Sequence, residues 1–96
     1  MIIMELKITK TAKERIDELD KSRKERIEKK LREIKEKINT LDLSPDQVIE
    51  KRLKGNLSNY LQQRVGDLRL WFTYERKDDI LYLEAVYTKE EAKGKY

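Results

Sequence analysis

Hydrophobic and polar residues follow two rhythms in this chain, and the change falls near Tyr60. After it, apolar positions return at every second residue, the period of a strand with one buried face. Leu61, Gln63 and Val65 share one face; beyond Gly66-Asp67, so do Leu68, Leu70, Phe72 and Tyr74. The pattern predicts strands at about Tyr60 to Val65, Leu68 to Arg76 and Ile80 to Val86. The first two meet in a tight hairpin at Gly66-Asp67, and the last two are joined by Lys77-Asp78-Asp79. In the last strand Ile80, Tyr82, Glu84 and Val86 alternate with Leu81, Leu83 and Ala85. Both of its faces carry apolar residues, so a central place in the sheet is expected.

Before Tyr60 the spacing is helical. Ala12, Ile16 and Leu19 form a short stripe, and Ile27, Leu31, Ile34 and Ile38 form a longer one. Thr11 with Glu14 and Ser22 with Glu25 read as capping boxes, which satisfy backbone amides at a helix start. Glu25/Lys29, Glu28/Arg32 and Glu33/Lys37 stand four apart in the favourable order. A break at Asp20-Lys21 makes the two helices an antiparallel hairpin. Ahead of them, Ile2, Met4, Leu6 and Ile8 would lie on one side of a strand. Ser44-Pro45 opens a short helical turn, and Gly55-Asn56 and Ser58-Asn59 are turn chemistry. Thr88 is placed to cap one more turn in the polar tail, whose other reading is a frayed terminus.

These elements predict one α+β domain over residues 1–96, ordered β-α-α-β-β-β, with a helical hairpin packed on one face of a small antiparallel sheet. The single Trp, the single Phe and all five Tyr lie from Tyr60 onward. The second face of the sheet is therefore aromatic and free to bind.

Composition narrows the chemistry. Charged residues make up 44% of the chain, yet 23 basic and 19 acidic side chains largely cancel, leaving +4. Such a Lys/Glu-rich balance resembles that of proteins from hot-growing organisms. Between Lys7 and Lys37, thirteen basic residues are interleaved with eight acidic ones, the pattern of a solvated helix surface. With neither cysteine nor histidine, disulfides, thiolate or imidazole catalysis and the usual transition-metal sites are excluded. Asp78-Asp79 and Glu90-Glu91 are neighbours whose side chains diverge, so neither is a metal or acid/base pair, and no cofactor is expected. No apolar run reaches the ~18 residues of a membrane span, and Met1-Ile2-Ile3-Met4 is too short for a signal peptide, so a cytoplasmic protein without a membrane partner is expected.

Attention then falls on the open face of the sheet. Arg69, Trp71 and Thr73 share a side of one strand, and Tyr60, Gln62 and Arg64 share a side of its neighbour. If the hairpin turns both sets the same way, two guanidinium groups stand among aromatic rings, suited to phosphate and to stacked bases of single-stranded RNA. The competing reading pairs Arg64 and Arg69 with Glu75 or Glu84 across the strands. Lys51, Arg52 and Lys54 form a further basic cluster just ahead of the hairpin.

The run from Leu53 to Tyr96 contains LKG, then RVGDLRLWFTY, a charged turn, ILYLEAV and a basic tail ending in tyrosine. With the strand-helix-helix order before it, this resembles the RelE/ParE superfamily of toxins from type II toxin-antitoxin systems. The resemblance implies a compact α+β fold. In its RelE branch it implies a ribosome-dependent endoribonuclease that cuts mRNA through arginine, lysine and tyrosine, without histidine or metal. Arg69 matches the family's arginine at the end of a glycine-containing turn, and Arg64 a basic position five residues earlier. Lys89 stands where the family often has arginine, Tyr96 matches a tyrosine near the terminus after a one-residue insertion, and Gln62 stands where RNA-cleaving relatives often carry lysine.

Under that resemblance the catalytic candidates are Arg69, Arg64, Lys89 and Tyr96, and the RNA-binding candidates are Lys51, Arg52, Lys54, Trp71 and Lys95. Lys89 or Lys95 would assist the leaving oxygen, and Tyr96 would stack on a base or help in proton transfer. The expected partners are a cognate antitoxin, whose helix and strand wrap the toxin, together with the ribosome and mRNA. Two alternatives stay open: a ParE-like toxin that inhibits DNA gyrase by binding, and a basic module that binds single strands without cutting.

Overall fold

The computed structural model describes residues 3–96, so Ile2 lies outside the described residues. Strand β1 (Glu5–Ile8) leads into helices α1 (Lys10–Asp17) and α2 (Lys21–Leu41), then a single turn α3 (Pro45–Val48). A two-residue strand β2 (Lys51–Arg52) and a 3-10 turn (Gly55–Leu57) precede β3 (Leu61–Val65), β4 (Leu68–Glu75), β5 (Ile80–Thr88) and helix α4 (Lys89–Lys93). The α+β class and the central hairpin follow the expectation. The sheet is larger than expected: its order is β1-β5-β4-β3-β2, with β1 running parallel to β5 and the other pairs antiparallel. β5 sits inside the sheet, as its two apolar faces require.

One face of the sheet carries the main core. Leu61, Val65, Leu68, Leu70, Phe72, Leu81, Leu83 and Val86 meet Ala12 from α1 and the stripe Ile27, Leu31, Ile34 and Ile38 from α2. Met4 and Leu6 join this core, while Ile8 is exposed where the chain leaves the sheet for α1. Asn39 locks the start of β1 to α2, accepting from the Met4 N–H at 2.9 Å and donating to the Met4 carbonyl at 3.3 Å.

Both helix caps differ from the expected residues. Thr9, not Thr11, caps α1, and Asp20, not Ser22, caps α2; each is extended and accepts from the amide three residues on. Each helix thus starts earlier, because a cap must sit in extended backbone and Thr11 and Ser22 are already helical. Among the described residues the ion pair within α2 is Lys30–Glu33, and none of the three predicted spaced-by-four pairs closes. All of those side chains are long and solvated, and the gain from holding them is small.

The strict alternation expected for β5 fails at Glu84. Phe72 pairs with Leu83 but Trp71 pairs with Ala85, so Glu84 is an extra residue, a β-bulge. Past it the phase inverts: Val86 joins Leu81 and Leu83 in the main core, while Ala85 and Tyr87 turn to the opposite face. A bulge leaves ladder groups unpaired. Here the Thr9 hydroxyl that caps α1 also donates to the Glu84 carbonyl at 3.2 Å.

The tail is not frayed. Thr88 and Glu91 form a capping box, the Lys89 N–H donates to the Asp67 carbonyl at 2.9 Å, Ala92 is buried, and Arg15 of α1 binds Glu91 at 2.6 Å. The adjacent carboxylates serve structure: Glu91 caps α4, and Asp79 accepts from the Tyr74 hydroxyl. Among the described residues no helix is long and apolar enough to cross a membrane.

Candidate functional site

The second face of the sheet is built around Trp71. Its ring lies 5.2 Å from Tyr60, 4.9 Å edge-on from Tyr87 and 6.4 Å from Tyr96, stacked. The bulge at Glu84 is what turns Tyr87 onto this face. Leu53 and Ala92 complete the cluster. Trp71 is therefore 3% exposed, which corrects the expectation that it offers an open ring to a base. Its role is to support the rings around it.

Gln62, opposite Trp71 in the β3–β4 register, is also 3% exposed. Its Oε1 accepts from Trp71 Nε1 at 2.9 Å and from the Tyr96 hydroxyl at 2.7 Å. A buried amide must find partners, and these two fix the ring of the last residue against the sheet. Tyr96 is nonetheless 64% exposed, so its ring is both held and accessible.

Next to this platform the hairpin brings Arg64 and Arg69 directly opposite each other. Like charges facing across a ladder repel, and the two groups relieve this differently. Arg64 Nε donates to Glu50 Oε2 at 2.6 Å, and its backbone N–H donates to Glu50 Oε1 at 3.3 Å. Arg69 has no carboxylate partner among the described residues and folds back on the turn, donating from Nη1 to the Gly66 carbonyl at 3.1 Å and the Leu68 carbonyl at 2.9 Å. Neither arginine pairs with Glu75 or Glu84; Glu84 accepts instead from Thr73 Oγ1 at 2.8 Å.

The turn depends on Gly66, whose φ of 59° is the positive value that the first central position of a two-residue hairpin requires. Arg23 on α2 grips the Asp67 carboxylate from outside. The carbonyl of Asp67 meanwhile receives the Lys89 amide, so turn and tail are one assembly.

The result is a cleft of about 320 Å³ whose walls carry Lys51, Arg64, Arg69, Lys89 and Lys93 against Glu50 alone, with Gln62, Ala92 and Tyr96 completing them. Of the residues singled out in the sequence, Arg69, Arg64, Lys89, Tyr96 and Lys51 come together here. Lys51 pairs with Gln62 in the sheet, and its ammonium lies 5.9 Å from the centre of the Tyr96 ring. Three others stand apart. Arg52 is held by Asp46 at 2.7 Å and by the Ser58 carbonyl at 2.7 Å; Lys54 lies beside a neighbouring hollow; Lys95 sits 5.3 Å over the Tyr87 ring.

Lys93, Glu50 and Arg23 build or brace the site without standing among the sequence candidates. Lys93 was legible, since it follows Lys89 by one helical turn on the segment that Thr88 caps. Glu50 and Arg23 act through partners 14 and 44 residues away, which no local pattern reveals.

No family model and no characterised relative matches the sequence. Solved structures do match the fold. A chain of the RelBE2 toxin-antitoxin complex of Mycobacterium tuberculosis is 20% identical, covers 92% of this chain and 93% of its own, and superposes with a TM-score of 0.61. The archaeal RelE-RelB complex of Pyrococcus horikoshii gives 19% identity, 92% and 97% coverage and a TM-score of 0.64. The YoeB dimer of Staphylococcus aureus gives 19% identity, 88% and 94% coverage and a TM-score of 0.59. The chain thus has the fold of the RelE-like toxins over nearly its whole length.

Proposed function

We propose that this protein is the toxin of a toxin-antitoxin pair and acts as a RelE-like endoribonuclease on ribosome-bound mRNA. The observation that carries the reading is the opposition of Arg64 and Arg69 in a cleft with one carboxylate and three further lysines. Such an arrangement costs stability in the absence of an anion, and a phosphodiester relieves it with bidentate hydrogen bonds. The fold shared with structures solved as toxin-antitoxin complexes supports a cognate antitoxin as the protein partner.

In this mechanism a ribose 2′-hydroxyl attacks the adjacent phosphorus and releases its proton to solvent water. The new P–O2′ bond forms as the P–O5′ bond breaks, giving a 2′,3′-cyclic phosphate and a 5′-hydroxyl. Arg69 and Arg64 stabilise the charge that builds on the non-bridging oxygens, the step in which positioned cations contribute most. Lys89 and Lys93 lie on the cleft wall beside them, where a proton for the departing 5′-oxygen is required. Tyr96, whose hydroxyl is committed to Gln62, serves as a stacking surface rather than a proton carrier. Lys95 is withdrawn to Tyr87 and takes no part.

The test is primer extension on a reporter mRNA translated with purified protein, run beside a gyrase supercoiling assay. Cuts at ribosome-bound codons with supercoiling untouched are expected. Intact mRNA with blocked supercoiling would replace this reading with the ParE-like one, and binding of RNA with neither effect would replace it with a simple single-strand binder.

A further inference from the structure

Two guanidinium groups approach Gly66 from opposite faces of the sheet. Arg69 reaches it from the open face, where its Nη1 donates to the Gly66 carbonyl at 3.1 Å. Arg26 reaches it from α2, which packs on the core face, and a Cβ at position 66 would stand only 3.2 Å from its Nη1. The hairpin tip thus lies between two cations, with no side chain to separate them.

We propose that Arg26 binds the phosphate adjacent to the scissile one, on an RNA strand that leaves the cleft across the hairpin tip at Gly66. The inference rests on the phosphate-cleft reading given above and adds a second phosphate to it. Arg23 and Lys30 lie one turn to either side of Arg26 on α2, and each is engaged with a carboxylate, Asp67 and Glu33 respectively. Arg26 is exposed and has no such partner among the described residues. Arg23 does most to lower the Asp67 carboxyl and holds both of its oxygens; Arg26 adds to the lowering by charge alone, without a bond. Its fork of donors therefore remains available for the two non-bridging oxygens of a phosphodiester. A strand carries one phosphate per nucleotide, so a cation just beyond Arg69 meets the group one step beyond the scissile one. A side chain at position 66 would obstruct that passage and press on the Arg26 guanidinium. The site then takes two consecutive phosphodiesters, and a dinucleotide fills it only in part.

The experiment uses the full chain and two non-cleavable probes without terminal phosphates, a 2′-deoxy dinucleotide with one phosphodiester and a trinucleotide with two, titrated by NMR. The parent protein should bind the trinucleotide more tightly. Arg26→Ala should weaken the trinucleotide about tenfold and leave the dinucleotide as it was, and Arg26→Lys should recover part of the loss. Replacing the second phosphate of the trinucleotide by an uncharged methylphosphonate should remove the effect of Arg26→Ala, since the partner of that side chain is then gone. Equal weakening of both probes would overturn the proposal, because Arg26 would then act through the turn. If Arg26→Ala changes neither probe yet slows cleavage on the ribosome, the proposal falls as well, and Arg26 belongs to docking on ribosomal RNA. In both of those cases the cleft reading stands. If Arg69→Ala leaves dinucleotide binding unchanged, the cleft reading itself falls and takes the second phosphate with it.

Discussion

Arg23 and Asp67 are joined by two hydrogen bonds, from Nε to Oδ1 at 3.2 Å and from Nη2 to Oδ2 at 2.6 Å, across 44 residues of sequence. Arg23 also binds Asp20, the cap of its own helix, at 3.0 Å. One guanidinium thus ties the start of α2 to the turn that holds Arg69 and the tail. These bonds lower the Asp67 and Asp20 carboxyls from their usual range, Arg23 being the leading cause for both, and raise the arginine further above its own.

Because the carboxyls titrate lower in the folded chain than in the unfolded one, what they add to stability is present above the unfolded value of about 3.9. It is lost as pH falls through the folded values. Arg23→Ala should therefore melt below the parent protein at neutral pH, and the gap should shrink once pH drops under ~4. Thermal melts of the two proteins across pH check this. Cleavage by Arg23→Ala should fall several-fold, with Arg23→Lys recovering part of it, since a lysine keeps the charge but not the fork.

Arg69→Ala should reduce cleavage at least a hundredfold, the scale seen when one group that stabilises transition-state charge is removed. Its side chain is partly exposed and bonds only to nearby carbonyls, so the melting temperature should stay close to that of the parent. Glu50→Gln should act in the opposite direction. It releases Arg64 for the phosphate, and RNA affinity measured by fluorescence anisotropy should rise a few-fold. An unchanged affinity would show that Arg64 reaches the strand without leaving Glu50.

Gln62→Leu should destabilise the protein by ~1–3 kcal/mol, since it leaves the Trp71 N–H buried without an acceptor. Tyr96→Phe removes only the second of the two bonds and leaves Gln62 paired with Trp71, so its cost should lie near the low end of ~0.5–1.5 kcal/mol. Urea midpoints rank the two. An order reversed from this one would mean that the tail, not the indole, dictates the amide.

Lys89→Ala and Lys93→Ala should each flatten the plot of log affinity against log salt for single-stranded RNA by ~0.7. Lys95→Ala, whose ammonium sits over Tyr87, should leave the slope unchanged. Binding isotherms at three salt concentrations distinguish them.

Much of this arrangement was legible because it is local. The period-two run of Leu68, Leu70 and Phe72 places Arg69 and Trp71 on the other face, and Gly66-Asp67 announces the turn that sets Arg64 opposite Arg69. Thr88 and Glu91 declare the helix that carries Lys89. What could not be read depends on contacts between distant segments. An alternating pattern gives no sign of the extra residue at Glu84, since the residues on both sides of it are apolar. Burial of Trp71 depends on three rings arriving from β5, the tail and the start of β3. The parallel pairing of β1 with β5 joins residues some 75 positions apart, as Thr9 and Glu84 show.

The buried indole gives the protein an optical probe of its own tail. Trp71 is the only tryptophan in the chain, and Tyr87 and Tyr96 touch it from strand β5 and the terminus. An indole so shielded from water should emit as a buried one, with energy passed to it from the nearby tyrosines. Withdrawal of Tyr96, by an antitoxin, a strand of RNA or a protease, would admit solvent to one side of that ring. Docking and release of the tail would then be visible in the intrinsic fluorescence of the unlabelled protein, in real time and without any substitution.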